Sequence, residues 1–197
     1  RCDAFYRALA RHDLPLITHA GHEAAVAGTA RQDHGNPLKL RRPLGLGVRV
    51  VVAHCASHGE DADLDRGGNG PSRSSFDLFA RLMDEPGHAG RLFGDISAVT
   101  QFNRAHVLEA LLARPDWHGR LLNGSDYPLP GILPLISLER LVRRGLLDED
   151  TKPFLNGLRE HNPLLFDFAL KRLLRRRGRG FADAAFETRA FFDRKPG

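Results

Sequence analysis

The chain has 197 residues, is 42% hydrophobic and 27% charged, and carries a formal net charge of +5, a composition that suits one ordinary globular domain and argues against extended disorder. No apolar run approaches the roughly 20 residues of a membrane-spanning helix, and the N-terminus lacks the basic, apolar and small-residue order of a signal peptide, so a cytoplasmic address is expected. The two cysteines, Cys2 and Cys55, stand far apart and without metal-ligand spacing, which points to neither a disulfide framework nor a thiolate zinc site.

Taken in chain order, a helical pattern over 2–12 feeds the apolar run 14–19, expected to be a buried strand with a polar residue, His19, only at its end. Residues 36–44 read as a helix or an irregular linker, followed by the turn residues Gly45 and Gly47 and a second strand over 48–54 that ends in His54. Residues 57–71 are polar and glycine-rich; a loop of this length is either a lid or binding loop, or a surface insertion. A helix around 76–83 leads to a third strand over 92–97, and a helix over 105–113 to a fourth over 120–126, which ends in Asp126. Helices are expected at 135–144, 148–159 and 163–176, and residues 181–197 read as a packed tail with phenylalanines at loosely helical spacing.

Strands separated by helical patterns imply parallel pairing, because a parallel strand requires a long return connection. The expected fold class is therefore α/β: an open sheet, or about half of a (β/α)8 barrel, which in full needs about 250 residues. The chain begins with Arg1 inside a helix-like pattern, as if cut from something longer. Much of the positive excess sits in residues 171–179, read as a solvated helix end, and no nucleic-acid recognition module accompanies it.

His19, His54 and Asp126 occupy equivalent places at the C-terminal ends of strands, where ligand crevices form in parallel α/β folds. Imidazole nitrogen and carboxylate oxygen together suit a divalent ion, zinc above all, that activates water. Taken singly, a histidine at a strand end is more often a hydrogen-bonded structural residue, and an aspartate before Pro128 is often a cap; the coincidence of all three is what carries weight. Glu23 and Ser97 are candidate substrate contacts, with a helix N-terminus and a loop cap as the plainer alternatives. His12, His34, His58, His88, His106 and His118 are expected to be solvated, and Cys55 to be a small buried hydrophobe.

The segments Thr18-His19-Ala20-Gly21, Val52-Ala53-His54-Cys55-Ala56-Ser57 and Asn123-Gly124-Ser125-Asp126-Tyr127-Pro128 together resemble the last four strands of the amidohydrolase-related family of metal-dependent hydrolases. Glu160-His161-Asn162-Pro163-Leu164-Leu165-Phe166 is similar to the helix that closes that family's barrel. The resemblance covers about residues 14–170 and implies the C-terminal part of a TIM barrel, strands five to eight, so that residues 1–177 are expected to form the partial barrel domain and 178–197 a tail. It implies a metal ligand at His19, metal binding and proton handling at Asp126, and for His54 either a second metal ligand or the group that orients and deprotonates water, the latter catalytic role being favoured with one metal. The family's His-X-His pair occurs nowhere in the chain, so strands one to four would precede Arg1 and the chain alone would lack metal ligands. The implied activity is hydrolysis of an amide, ester or lactone-like bond, with non-oxidative decarboxylation on the same site as the alternative. A basic binding module or a degenerate barrel is the reading from other classes. The expected partner is a small-molecule substrate, not nucleic acid or membrane, and a homo-oligomer stays open.

Overall fold

The computed structural model describes residues 2–22, 32–68, 70–132 and 134–193, and the chain divides into two compact units, residues 1–95 with 189–197 and residues 96–188. The architecture is mixed α/β with parallel strands. Among the described residues no helix is long and apolar enough to cross a membrane.

In the first unit, α1 (Asp3–Arg11) precedes β1 (Leu16–His19), α2 (Arg41–Gly45) precedes β2 (Val50–Ala53), and α3 (Ser75–Asp84) precedes β5 (Leu92–Asp95), with a small ribbon of β3 (Glu60–Ala62) and β4 (Ser72–Ser74) between β2 and α3. Helical returns of this kind allow neighbouring strands to run parallel. β1 pairs with β2 in the register Leu16↔Val50 to His19↔Ala53, and β2 pairs with β5 from Val50↔Leu92 to Val52↔Gly94. The central position of β2 explains its sequence: Val50, Val51 and Val52 are wholly buried, and β-branched residues suit a strand covered on both faces. β1 differs from the buried strand expected of it. It is the outer strand of the three, and Ile17 is 58% exposed.

α3 presents Leu78, Phe79, Leu82 and Met83 to the core, all essentially inaccessible, at the spacing that aligns one helix face. Residues 189–193 join this unit, where the Phe191 ring lies 4.6 Å from that of Phe93 and beneath the Arg49 guanidinium.

The glycine-rich stretch 57–71 carries regular structure that its composition did not suggest. β3 and β4 pair antiparallel, Glu60↔Ser74 to Ala62↔Ser72, and the ribbon is fastened by charge. Buried Asp61 accepts a hydrogen bond from Ser75 Oγ at 2.7 Å, Asp63 receives both arms of Arg81 at 2.7 and 2.9 Å, and Asp65 is shared by Arg41 and Arg81. Arg41 also holds Glu85, and Asn36 Nδ2 donates to Ala62 O at 2.8 Å. The hydrogen bonds from Arg41 and then Arg81 hold the Asp65 carboxyl down at about 2, and that from Arg81 lowers Asp63.

The second unit holds α4 (Leu108–Leu112), β6 (Leu121–Leu122), α5 (Leu138–Arg143), α6 (Lys152–His161) and α7 (Pro163–Leu173). The strand expected over 120–126 is regular only at Leu121 and Leu122, and Leu122 O accepts from Ile96 N–H at 2.8 Å. His118, expected in solvent, is buried: its Nε2 pairs with Leu111 O at 3.1 Å while Nδ1 accepts from Ala182 N–H at 3.1 Å, which sets the neutral, Nε2-protonated tautomer. Lys171 is a sharper correction to the reading of 171–179 as a solvated end. Its side chain is 0% exposed, paired with Asp167 at 2.6 Å and donating to Gly124 O at 2.6 Å.

Candidate active site

A shared backbone feature marks the segments that follow the parallel strands. Gly21 (φ 79°) comes after β1; His54, Cys55 and Ala56 (φ 55°, 52° and 49°) after β2; Ala98 (φ 55°) after β5; and Asp126 (φ 57°) after β6. For a residue with a side chain the left-handed region costs roughly 1–2 kcal/mol, and such strain persists where the surroundings enforce it, commonly at functional sites. The three consecutive left-handed residues at His54 form a tight elbow, closed by a hydrogen bond from Ser57 N–H to His54 O at 3.0 Å. Cys55, buried as expected, pins the elbow by donating its thiol to Asp95 O at 3.3 Å. The chain therefore leaves β2 abruptly, with His54 as its first residue off the strand.

The parallel register sets His19 beside Ala53, so His54 lies one position beyond it on the neighbouring strand. The two imidazole rings stand 5.3 Å apart, centre to centre, edge to face at 68°. Both side chains are half-buried, and His19 Nε2 is shielded from solvent. Beyond β1 the backbone is fixed by Gly21 N–H to Gly35 O at 2.8 Å and His22 N–H to His58 O at 2.9 Å. A side chain on Gly21 would collide with the His58 carbonyl, so glycine is required there. Glu23 lies outside the described residues.

Asp126 and Ser97 belong to the second unit. Asp126 is half-buried, and its carbonyl accepts from Leu129 N–H at 3.0 Å; Ser125 Oγ accepts from Tyr127 N–H at 3.3 Å. Two residues before Asp126, Gly124 O receives Lys171 Nζ, so the segment bearing the aspartate is fastened to α7 by a buried ammonium. Ser97 is 2% exposed, one residue before left-handed Ala98.

The Asp167–Lys171 pair escaped the sequence reading because Lys171 opens a run of basic residues. A signal was present: an acid four residues before a lysine, each next to an apolar position, Phe166 and Leu170, that faces the core.

The donor chemistry of His19 and His54 fits a divalent ion in part. On a tetrahedral ion with nitrogen bonds of about 2.1 Å, two imidazoles hold their ring centres about 5 Å apart, close to the 5.3 Å found here. Among the described residues no group of three or more His, Cys, Asp or Glu is arranged to hold a metal. Compared with models of known protein families, with curated proteins and with solved structures, the chain matches none.

Proposed function

We propose that the chain is a metal-dependent hydrolase of the amidohydrolase type, contributing the C-terminal strands of a (β/α)8 barrel. The observation that carries this reading is the His19–His54 pair: two imidazoles 5.3 Å apart at the ends of adjacent parallel strands, one of them held on a strained elbow. Strain at a histidine at the mouth of a parallel sheet is common at functional sites, and here the elbow that carries it is held by the buried Cys55 and Ala56. The spacing suits His54 as a second nitrogen donor beside His19, in place of the water-activating role that the resemblance favoured for a single metal.

A divalent ion of the zinc type, once bound, supplies Lewis acidity and acidifies a water molecule. The chain's own residues hold the ion through imidazole nitrogens and manage protons. Asp126 is assigned the carboxylate role that the resemblance implies, accepting the proton of the attacking water and returning it to the leaving group. The scissile bond is an amide, ester or lactone-like linkage.

The test is hydrolysis of aryl esters, lactones and amides by protein reconstituted with Zn²⁺ or Mn²⁺. Turnover that needs added metal and disappears in His19→Ala and in Asp126→Ala is the expected result. Turnover that survives either substitution or a chelator would remove the assignment.

A further inference from the structure

The basic stretch that the catalytic reading leaves unused folds into a defined feature. Arg176 and Arg179 face one another across a tight hairpin, with Arg176 N–H to Arg179 O at 2.8 Å and the reverse bond at 3.0 Å. Its two central residues, Arg177 (φ 50°) and Gly178 (φ 77°), are both left-handed, the mark of a type I′ turn, for which glycine at the second place is favoured. The turn fixes three guanidinium-bearing residues within four positions, instead of leaving them on a solvated helix end.

These arginines border a cavity of about 360 Å³ whose other walls are Leu112 and Ala113, within the lower range of small-molecule sites. Arg176 is partly engaged, donating to Glu109 O at 3.1 Å and lying 3.8 Å from the Glu109 carboxylate, which Arg144 also binds at 2.9 Å. Among the described residues neither the Arg177 nor the Arg179 guanidinium has a hydrogen-bond or ion-pair partner, and both are exposed. Asp116, the nearest acid in sequence beyond α4, is committed to Arg114 at 2.6 Å. The cavity thus has two unengaged planar forks, a third partly engaged, and an apolar side.

We propose that this hairpin is a binding site for a small phosphate monoester, its dianionic phosphoryl group taken by Arg177 and Arg179 and its organic part set against the exposed Ala113. The guanidinium fork matches two phosphoryl oxygens at once, which an ammonium does not. The turn holds the backbone of both arginines in place before any ligand arrives, so less ordering is required on binding.

The experiment is calorimetric titration of the full chain with phenyl phosphate, alongside inorganic phosphate. Saturable one-to-one binding of phenyl phosphate is expected, tighter than that of inorganic phosphate, and weakened about tenfold or more in the Arg177→Gln/Arg179→Gln variant. Both substitutions fall on exposed side chains, and circular dichroism should show an unchanged fold. Arg143→Gln, which removes one exposed charge from α5 in the same unit, should bind as the unaltered chain does. Absence of saturable binding, or binding untouched in the double variant, would overturn the proposal. An equal loss in Arg143→Gln would reduce the effect to net charge and overturn it as well.

Discussion

At the scale of single residues, the elbow after β2 concentrates the account. His54, Cys55 and Ala56 all occupy the left-handed region, and Cys55 and Ala56 are completely buried, so the strain is held by packing and by the Cys55 thiol. Ala56→Gly removes a conformational cost while losing one buried methyl; the two effects offset, and denaturant unfolding should place it within about 1 kcal/mol of the unaltered protein. Ala56→Val adds a β-branched side chain where φ is positive and no space exists, and should destabilise by about 2 kcal/mol or more. Equal stability of the two variants would mean that the elbow relaxes in solution. His19, His54 and Asp126 stood out in the sequence only together, because each closes an apolar run; in the structure His19 ends β1, His54 is the first residue past β2 and Asp126 lies four residues past β6. The left-handed backbone was not legible, since alanine and cysteine give no sign of it; only Gly21 does.

At the scale of elements, two fastenings decide what α7 and the β3–β4 ribbon do. Lys171 is fully buried between Asp167 and Gly124 O. Replacing it with Met leaves the Asp167 carboxylate buried without its cation, a loss of about 3–5 kcal/mol. The Lys171→Met/Asp167→Leu double variant removes both charges and should recover part of that loss; if the double variant is as unstable as the single, the pair is not what matters. The second fastening depends on acid. Asp65 has its pKa lowered from 3.8 to about 2 by Arg41 and Arg81, so its contribution is present above the unfolded value and is lost as pH falls through the folded one. The ribbon should loosen between about pH 4 and pH 2, seen as lower amide protection factors, corrected for the intrinsic pH dependence of exchange, at Asp61 and Asp63. Protection factors that are flat across that range would contradict the network. Composition alone made residues 57–71 look like a loop, because short strands whose inward groups are aspartates paired to distant arginines lack the apolar alternation that identifies a strand. Lys171 was misread for a related reason: its partners lie one helical turn back and 47 positions away, and a run of neighbouring arginines hides it.

At the scale of the whole molecule, the parallel α/β order was readable, since apolar runs with helical returns between them admit few other topologies. That β1 is an outer strand was not, because its sequence is as apolar as that of a buried one and strand order is a property of the assembled sheet. The site followed the same division: the sequence singled out His19 and His54 separately, and only the parallel register of β1 on β2 brings their rings together. The proposed chemistry rests on that meeting. It is tested most directly by incubating the full chain with Zn²⁺, removing unbound ion, and measuring retained zinc by elemental analysis, for the unaltered protein and for the His19→Ala/His54→Ala variant. Zinc retained by the first, below one equivalent because the chain supplies two imidazoles where a full site has three or four ligands, and zinc at background in the second is the expected result; no retained zinc in the first, or equal zinc in both, would contradict a metal site at the histidine pair.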